Sequence, residues 1–265
     1  MSIIDAIILG LVQGVTEFIP VSSSGHLAIT SHLLGVGGAF EFDVLLNFGT
    51  LLALIIFYRK KLGLIIKRIV IDGQWTLALK IVVATIPAVF FGILLKSQIE
   101  KLSEMIWVVI VMLVVIGIPM ILYGKQSTDA DDRGVEESVD WKTSLRIGFA
   151  QALALIPGTS RSGITILVGL KSNLSAARAA EFSFLLAIPV IAGASLKTLL
   201  SHDGTGFLKD NLGIVLIGNL ASFAAGILAI SFLMKFISKR GLKDFGWYRI
   251  GLATILTFLI IFKVI

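Results

Sequence analysis

Along this chain, apolar runs of membrane length alternate with short polar breaks. Four stretches read as bilayer spans: Trp75 to Leu95, Met105 to Tyr123, Leu212 to Met234 and Phe245 to Phe262. Each is about the 20 residues that carry a helix across roughly 30 Å of hydrocarbon. Two shorter runs, Val44 to Tyr58 and Ala180 to Leu196, are flanked by charge and read as two further spans. Two more apolar segments, at about 5–35 and 145–172, are too short to cross twice and are broken by Pro20, Gly25, Pro157 and Gly163. A helix–loop–helix that enters and leaves on one side fits them, because irregular backbone at membrane depth must be surrounded by protein or water. The expected fold is an all-α integral membrane protein with six transmembrane helices and two re-entrant helix hairpins. The N-terminal run carries Asp5 and no basic leader, and so reads as mature chain and not as a signal peptide.

The two halves resemble each other. At a shift of 138 residues Gly10-x-x-Gln13 falls on Gly148-x-x-Gln151, and Ser22-x-Ser24-Gly25 falls on Ser160-x-Ser162-Gly163. Three spans follow each loop, so one membrane domain, 1–265, divides into repeat one at 1–123, a loop at 124–142 and repeat two at 143–265. An odd number of spans makes the second hairpin enter from the opposite face. That is an inverted-topology repeat, whose site is expected near the midplane where the broken elements meet. Lys and Arg orient it: 17 fall on one side, from Arg59 to Arg249, against five on the other, Lys96, Lys101, Lys197, Lys209 and Lys263, with Arg161 set apart in its hairpin. The basic side is expected in the cytoplasm. Both termini and the entrance of the first hairpin are then outside, and the 124–142 loop is cytoplasmic.

Composition agrees with the pattern. Hydrophobic residues make up 56% of the chain, charged ones 15%, and the mean hydropathy is +0.96, which calls for lipid as solvent. The absence of cysteine excludes disulfides, thiolate metal sites and cysteine nucleophiles. A net charge of +6 spread over short loops describes a basic membrane surface, with no nucleic-acid partner expected.

The chemistry concentrates in the two broken hairpins. Gln13 and Glu17 are four residues apart and share a helix face; a carboxylate at membrane depth is costly and by default functional. The loop after Pro20 brings Ser22, Ser23, Ser24, Gly25 and His26 together, and hydroxyls with exposed N–H groups at a helix start bind phosphate oxygens. A serine near an imidazole and a carboxylate also forms a nucleophile with its acid or base. The second loop sets Ser160, Ser162, Gly163 and Thr165 around Arg161, whose guanidinium forks to phosphate. Its counter-anion is either Glu17 or a phosphate. Structural readings stay open beside these: a helix-terminal Glu17 at the headgroups, a serine cap with a core histidine, a plain Arg161–Glu17 ion pair. Asn47 and Glu181 sit near the starts of the spans that follow each hairpin, where a polar side chain braces hairpin backbone. His32 and His202 read as interfacial.

The pattern Gln13-x-x-x-Glu17-Phe-Ile-Pro-Val-Ser-Ser-Ser-Gly-His26 resembles the first signature of the undecaprenyl-diphosphate phosphatases of the bacitracin-resistance type. Pro157-Gly158-Thr159-Ser160-Arg161-Ser162-Gly163-x-Thr165 resembles their second, and Ala179 to Pro189 a further family stretch. The resemblance implies hydrolysis of a C55 polyprenyl diphosphate to the monophosphate carrier and phosphate at the outer face of the bacterial cytoplasmic membrane. It further implies Glu17 as the essential acid, Ser23 and His26 as nucleophile and proton-transfer residues, Arg161 as phosphate clamp, and a divalent cation, Mg²⁺ or Ca²⁺. Many members have Glu where this chain has Gln13; an amide is the weaker ligand, which leaves Glu17 as the main metal ligand. A homodimer stays open, as does a transporter of the lipid phosphate, since inverted repeats with broken helices are the usual build of carriers. A non-catalytic lipid scaffold is a third class.

Overall fold

The computed structural model describes residues 1–36, 40–103, 105–124 and 134–262. Lys125, Arg133 and Lys263 of the charge count, and residues 125–133 of the expected loop, lie outside them. The described residues form fifteen helices. In chain order these are α1 (Ile3–Phe18), α2 (Ser23–Leu33), α3 (Phe40–Leu45), α4 (Asn47–Phe57), α5 (Arg59–Val70), α6 (Thr76–Leu94), α7 (Lys96–Ser103) and α8 (Ile106–Tyr123). There follow α9 (Val135–Ser138), α10 (Trp141–Leu153), α11 (Arg161–Lys171), α12 (Ala176–Leu200), α13 (His202–Asp210), α14 (Leu212–Arg240) and α15 (Lys243–Ile261).

Five helices, α6, α8, α12, α14 and α15, are long and apolar enough to cross a bilayer, and only 28–39% of each is buried inside the protein. Such exposed apolar surface is what a chain dissolved in lipid presents. A bent pair, in which Glu41–Phe57 meets Arg59–Val70 at 71°, makes a sixth crossing if it is read as one broken span. The run expected at Val44 to Tyr58 is divided between two helices. It breaks between α3 and α4, and the freed polar groups are taken up by α14: Asn219 Oδ1 accepts the Gly49 N–H at 2.6 Å, and Ser222 Oγ donates to the Leu46 carbonyl at 3.1 Å. The basic α5 buries none of its residues. The span expected at Ala180 to Leu196 runs longer, over Ala176–Leu200, and α14 extends past Met234 to Arg240.

Small residues set the helix contacts. A Cβ on Gly10 would lie 2.3 Å from the Gly218 carbonyl oxygen of α14, and one on Gly14 the same distance from that of Ser222. Gly148, which the repeat register equates with Gly10, lies against Ala84 of α6, where a Cβ would come within 2.6 Å of backbone oxygen. Each hairpin therefore lays its first helix on the middle span of the other half, α1 on α14 and α10 on α6. Between α8 and α15, Gly117 and Gly246 face each other. Without a hydrophobic drive in lipid, this close backbone approach is how helices associate. Outside the spans, Asp140 caps α10 by accepting the Thr143 N–H at 2.7 Å, and the hydrogen bonds from Thr143 hold its carboxyl below the usual carboxylate range.

One end of the bundle gathers charge. Arg68 of α5 pairs with Glu136 of α9, Lys80 donates to the Glu136 carbonyl at 2.9 Å, and Glu181 binds Lys61 at 3.1 Å and Arg178 at 2.8 Å. Arg249 is the exception to the expected basic side. It lies inside α15, is fully buried, and donates to the carbonyls of Gly158 at 2.7 Å, Met112 at 3.0 Å and Leu113 at 3.3 Å. Counting it as a loop residue was an error of position, since it falls four residues inside the span expected from Phe245. The basic side keeps 16 (17 less one).

Candidate active site

The loops of the two hairpins fold alike. Ser22 (φ 78°) and Ser160 (φ 68°) are both N-caps in the left-handed region, a conformation L-residues other than Asn and Asp seldom adopt. Each serine accepts an N–H from the glycine three residues on, Gly25 at 3.4 Å and Gly163 at 3.2 Å. Each also contacts the hydroxyl two residues on, Ser24 at 3.2 Å and Ser162 at 3.3 Å. The strain, of order 1–3 kcal/mol per residue, is held by packing. A Cβ on Gly158 (φ 89°) would meet the Val109 carbonyl oxygen at 2.6 Å, and one on Gly25 would meet Val109 Cγ1 at 3.0 Å, so a single α8 residue abuts both loops.

These turns aim the N-termini of α2 and α11 at one carboxylate. Ser23, the first residue of α2, donates its hydroxyl to Glu17 Oε2 at 2.7 Å. Arg161, the first residue of α11, donates Nη2 to Glu17 Oε1 at 2.7 Å. Glu17 and Arg161 expose 12% and 11% of their side chains. Gln13 Nε2 lies 3.3 Å from Glu17 Oε2 and 2.9 Å from Asn47 Oδ1, while Asn47 Nδ2 donates to the Asp43 carbonyl. With acceptors on both sides of its nitrogen, the Gln13 amide orientation is fixed. Ser24 bridges the loops by accepting the Gly158 N–H at 3.3 Å. First-turn N–H groups of a helix lack intrahelical acceptors, and the dipole adds positive potential at that end. Two such ends, a guanidinium and the buried cation of Arg249 behind Gly158 make this a site for negative charge.

A cavity of about 840 Å³ leads to it, lined among others by Gln13, Glu17, Ser23, Ser24, Asp43 and Asn47, with Glu41, Glu100 and Ser103. Glu100 and Ser103 belong to α7, which joins α6 to α8 at the end opposite Lys80 and Glu136. The cavity therefore opens away from the basic end of the bundle.

Not every expected residue converges. His26 makes no hydrogen bond to Glu17 or to a serine hydroxyl: its Nδ1 lies 2.7 Å from the Ser22 carbonyl and its Nε2 2.7 Å from the Tyr248 hydroxyl of α15. Thr165 is fully buried and bonds Ser183 at 2.6 Å and the Arg161 carbonyl at 2.7 Å, bracing α11 against α12. Ser22 and Ser160 serve as caps. Glu181 stands apart in its ion pairs with Lys61 and Arg178 and touches no hairpin backbone, whereas Asn47 joins the site through Gln13. The sequence reading missed Tyr248 and Arg249. A cation inside a predicted span was the signal for Arg249; for Tyr248, one aromatic in an apolar helix gave none.

Comparison with known proteins adds a second line. The family described as bacitracin resistance protein BacA matches residues 6–255. An undecaprenyl-diphosphatase of Latilactobacillus sakei subsp. sakei (strain 23K) is 36% identical over 265 residues, covering 96% of each chain. Undecaprenyl-diphosphatase 1 of Chromobacterium violaceum is 38% identical over 94% of this chain and 93% of its own. An undecaprenyl-diphosphatase of Flavobacterium psychrophilum is 37% identical over the same shares. With whole-length matches joined to the paired Glu17 and Arg161 loops, this chain belongs to the bacitracin resistance protein BacA family.

Proposed function

We propose that the protein hydrolyses undecaprenyl diphosphate to undecaprenyl phosphate and inorganic phosphate, returning the lipid carrier to cell-wall synthesis and thereby conferring bacitracin resistance. The observation that carries this reading is the shared grip of Ser23 and Arg161 on Glu17, at 2.7 Å each. Serine hydroxyl, carboxylate and guanidinium meet where two helix N-termini converge, the set that phosphoryl transfer to or from a phosphate ester requires. Arg161 spends only Nη2 on Glu17; its buried Nη1 has no hydrogen-bond partner. A diphosphate oxygen supplies one.

The diphosphate enters the cavity from the α7 end while its prenyl tail stays among the apolar helix faces. Ser23 Oγ, its proton passing to Glu17, attacks the terminal phosphorus, and the bond to the departing undecaprenyl phosphate oxygen breaks. Glu17 gives that proton up to the departing oxygen; water then attacks the phosphorus of the phosphoserine, its proton passing to Glu17 and on to Ser23 Oγ as the bond from that oxygen to phosphorus breaks. Arg161 and the first-turn N–H groups of α2 and α11 stabilise charge on the equatorial oxygens. A divalent cation, Mg²⁺ or Ca²⁺, would sit beside the diphosphate with Glu17 as its carboxylate ligand; among the described residues no three His, Cys, Asp or Glu side chains cluster to cage one. Mg²⁺ is commonly held by one or two carboxylates together with substrate phosphates. Glu17 would hold it, Gln13 becoming a weaker ligand only if its amide turned its oxygen toward Glu17 and gave up the hydrogen bonds of Nε2 to Glu17 and Asn47, and when bound it would offset the charge of the diphosphate.

The test is phosphate release from farnesyl diphosphate by the purified protein in detergent. Multiple turnovers are expected from the wild type, and a fall of at least a hundredfold in Glu17→Ala and in Arg161→Ala. A carrier or a scaffold would release none in detergent, and near wild-type rates in both variants would sink the proposed site.

A further inference from the structure

The C-terminal span reaches back to the first hairpin through one contact. Tyr248 of α15 stacks its ring on that of His26, centroids 5.8 Å apart and planes 10° apart, and its hydroxyl lies 2.7 Å from Nε2. The opposite ring nitrogen, Nδ1, lies 2.7 Å from the carbonyl of Ser22. A carbonyl oxygen only accepts, so Nδ1 carries the proton. In the neutral imidazole Nε2 is then an acceptor, and the Tyr248 hydroxyl donates to it. The other neutral tautomer would set a lone pair against the Ser22 carbonyl.

That carbonyl belongs to the strained turn. Ser22 holds φ at 78°, and the residue after it is Ser23, whose hydroxyl meets Glu17. We propose that Tyr248 is a positioning residue of the site, acting through His26: its hydroxyl donates to Nε2 and anchors the imidazole, whose Nδ1–H holds the Ser22 carbonyl, and the turn presents Ser23 to Glu17. The proposal rests on the phosphatase reading for its consequence on rate, but not for the contact itself. It also explains why His26 faces α15 and not the cavity, whose lining it does not join. The next residue, Arg249, holds the Gly158 carbonyl of the second loop. Two consecutive residues of α15 thus fasten one loop each.

Tyr248→Phe keeps the ring and its stacking and removes only the hydroxyl. In ¹⁵N NMR of histidine-labelled protein in detergent, with His26→Asn used for assignment, wild-type His26 is expected as the Nδ1–H tautomer, and the variant as the same tautomer with its Nε2 resonance moved by loss of the hydrogen bond from the hydroxyl. For farnesyl diphosphate turnover the variant should lose kcat by roughly ten- to hundredfold, the range that small misplacement of a reacting group costs, with KM changed less than twofold. An Nε2–H tautomer in the wild type overturns the proposal, and so does an unmoved Nε2 resonance or an unchanged kcat in Tyr248→Phe. Failure of the wild type to release phosphate while the Nε2 resonance moves as expected counts against the phosphatase reading and leaves the Tyr248–His26 coupling supported.

Discussion

At the scale of single residues, the site is organised around one carboxylate whose donors are nearly complete. Glu17 receives Arg161, Ser23 and the Gln13 amide, so removing Glu17 strands a buried guanidinium, which is costlier than the loss of one hydrogen bond. Gln13 is informative because its amide nitrogen lies 3.3 Å from Glu17 Oε2. In Gln13→Glu a second carboxylate would replace a donor 3.3 Å from Glu17, and two such charges at membrane depth need a cation between them. Phosphate release by this variant should be within about tenfold of wild type at millimolar Mg²⁺ and fall far more steeply on chelation. The check is the rate against free Mg²⁺ for both proteins; parallel curves would show that Gln13 has no part in cation binding. The sequence made Glu17 and Arg161 legible because charge at membrane depth is conspicuous. It could not tell caps from ligands among the serines, since what separates Ser22 from Ser23 is backbone conformation and hydrogen-bond partner, Gly25 for one and Glu17 for the other. It could not aim His26 either, because the imidazole's direction depends on Tyr248, 222 residues away.

At the scale of elements, glycine spacing does what apolar patterning cannot. Gly10 and Gly14 let α1 lie on α14, and Phe18, one turn further on, fills the space over Gly226, where a Cβ would come within 3.0 Å of its ring. Glu17 is thereby set at a fixed height by packing on both sides. In Gly14→Ala the added methyl would lie 2.3 Å from the Ser222 carbonyl oxygen and 2.7 Å from Ala225 Cβ. Overpacking of this kind costs about 1–3 kcal/mol, which lowers the unfolding midpoint by about 2–12 °C in a chain of this size. Thermal unfolding monitored by size-exclusion chromatography in detergent measures it, and a wild-type midpoint would show that α1 and α14 separate without cost. The five long spans were readable from hydropathy, although their ends were not, because α12 and α14 continue as helices past their apolar runs, to Leu200 and Arg240. The break between α3 and α4 escaped notice because its polar groups are satisfied by Asn219 and Ser222, some 170 residues later in the chain.

At the scale of the whole molecule, two independent asymmetries point the same way. The basic side chains collect at the end where α5, α9 and the start of α12 meet, and the cavity to Glu17 opens at the opposite end, beside α7. By the positive-inside rule the first end is expected in the cytoplasm, and losing Arg249 from the count still leaves 16 against five. The site would then face the outside, where a lipid diphosphate left by polymer synthesis is reached without crossing the membrane. The natural chain has no cysteine, so single engineered thiols report topology without background. Ser97→Cys on α7 should react with a membrane-impermeant maleimide in intact cells, and Gln74→Cys, in the turn between α5 and α6, only after the membrane is opened. The reverse labelling would turn the cavity to the cytoplasm and require the substrate to be brought inward before hydrolysis. Labelling of both thiols from outside would instead contradict the crossing of α6, on which the separation of the two ends depends.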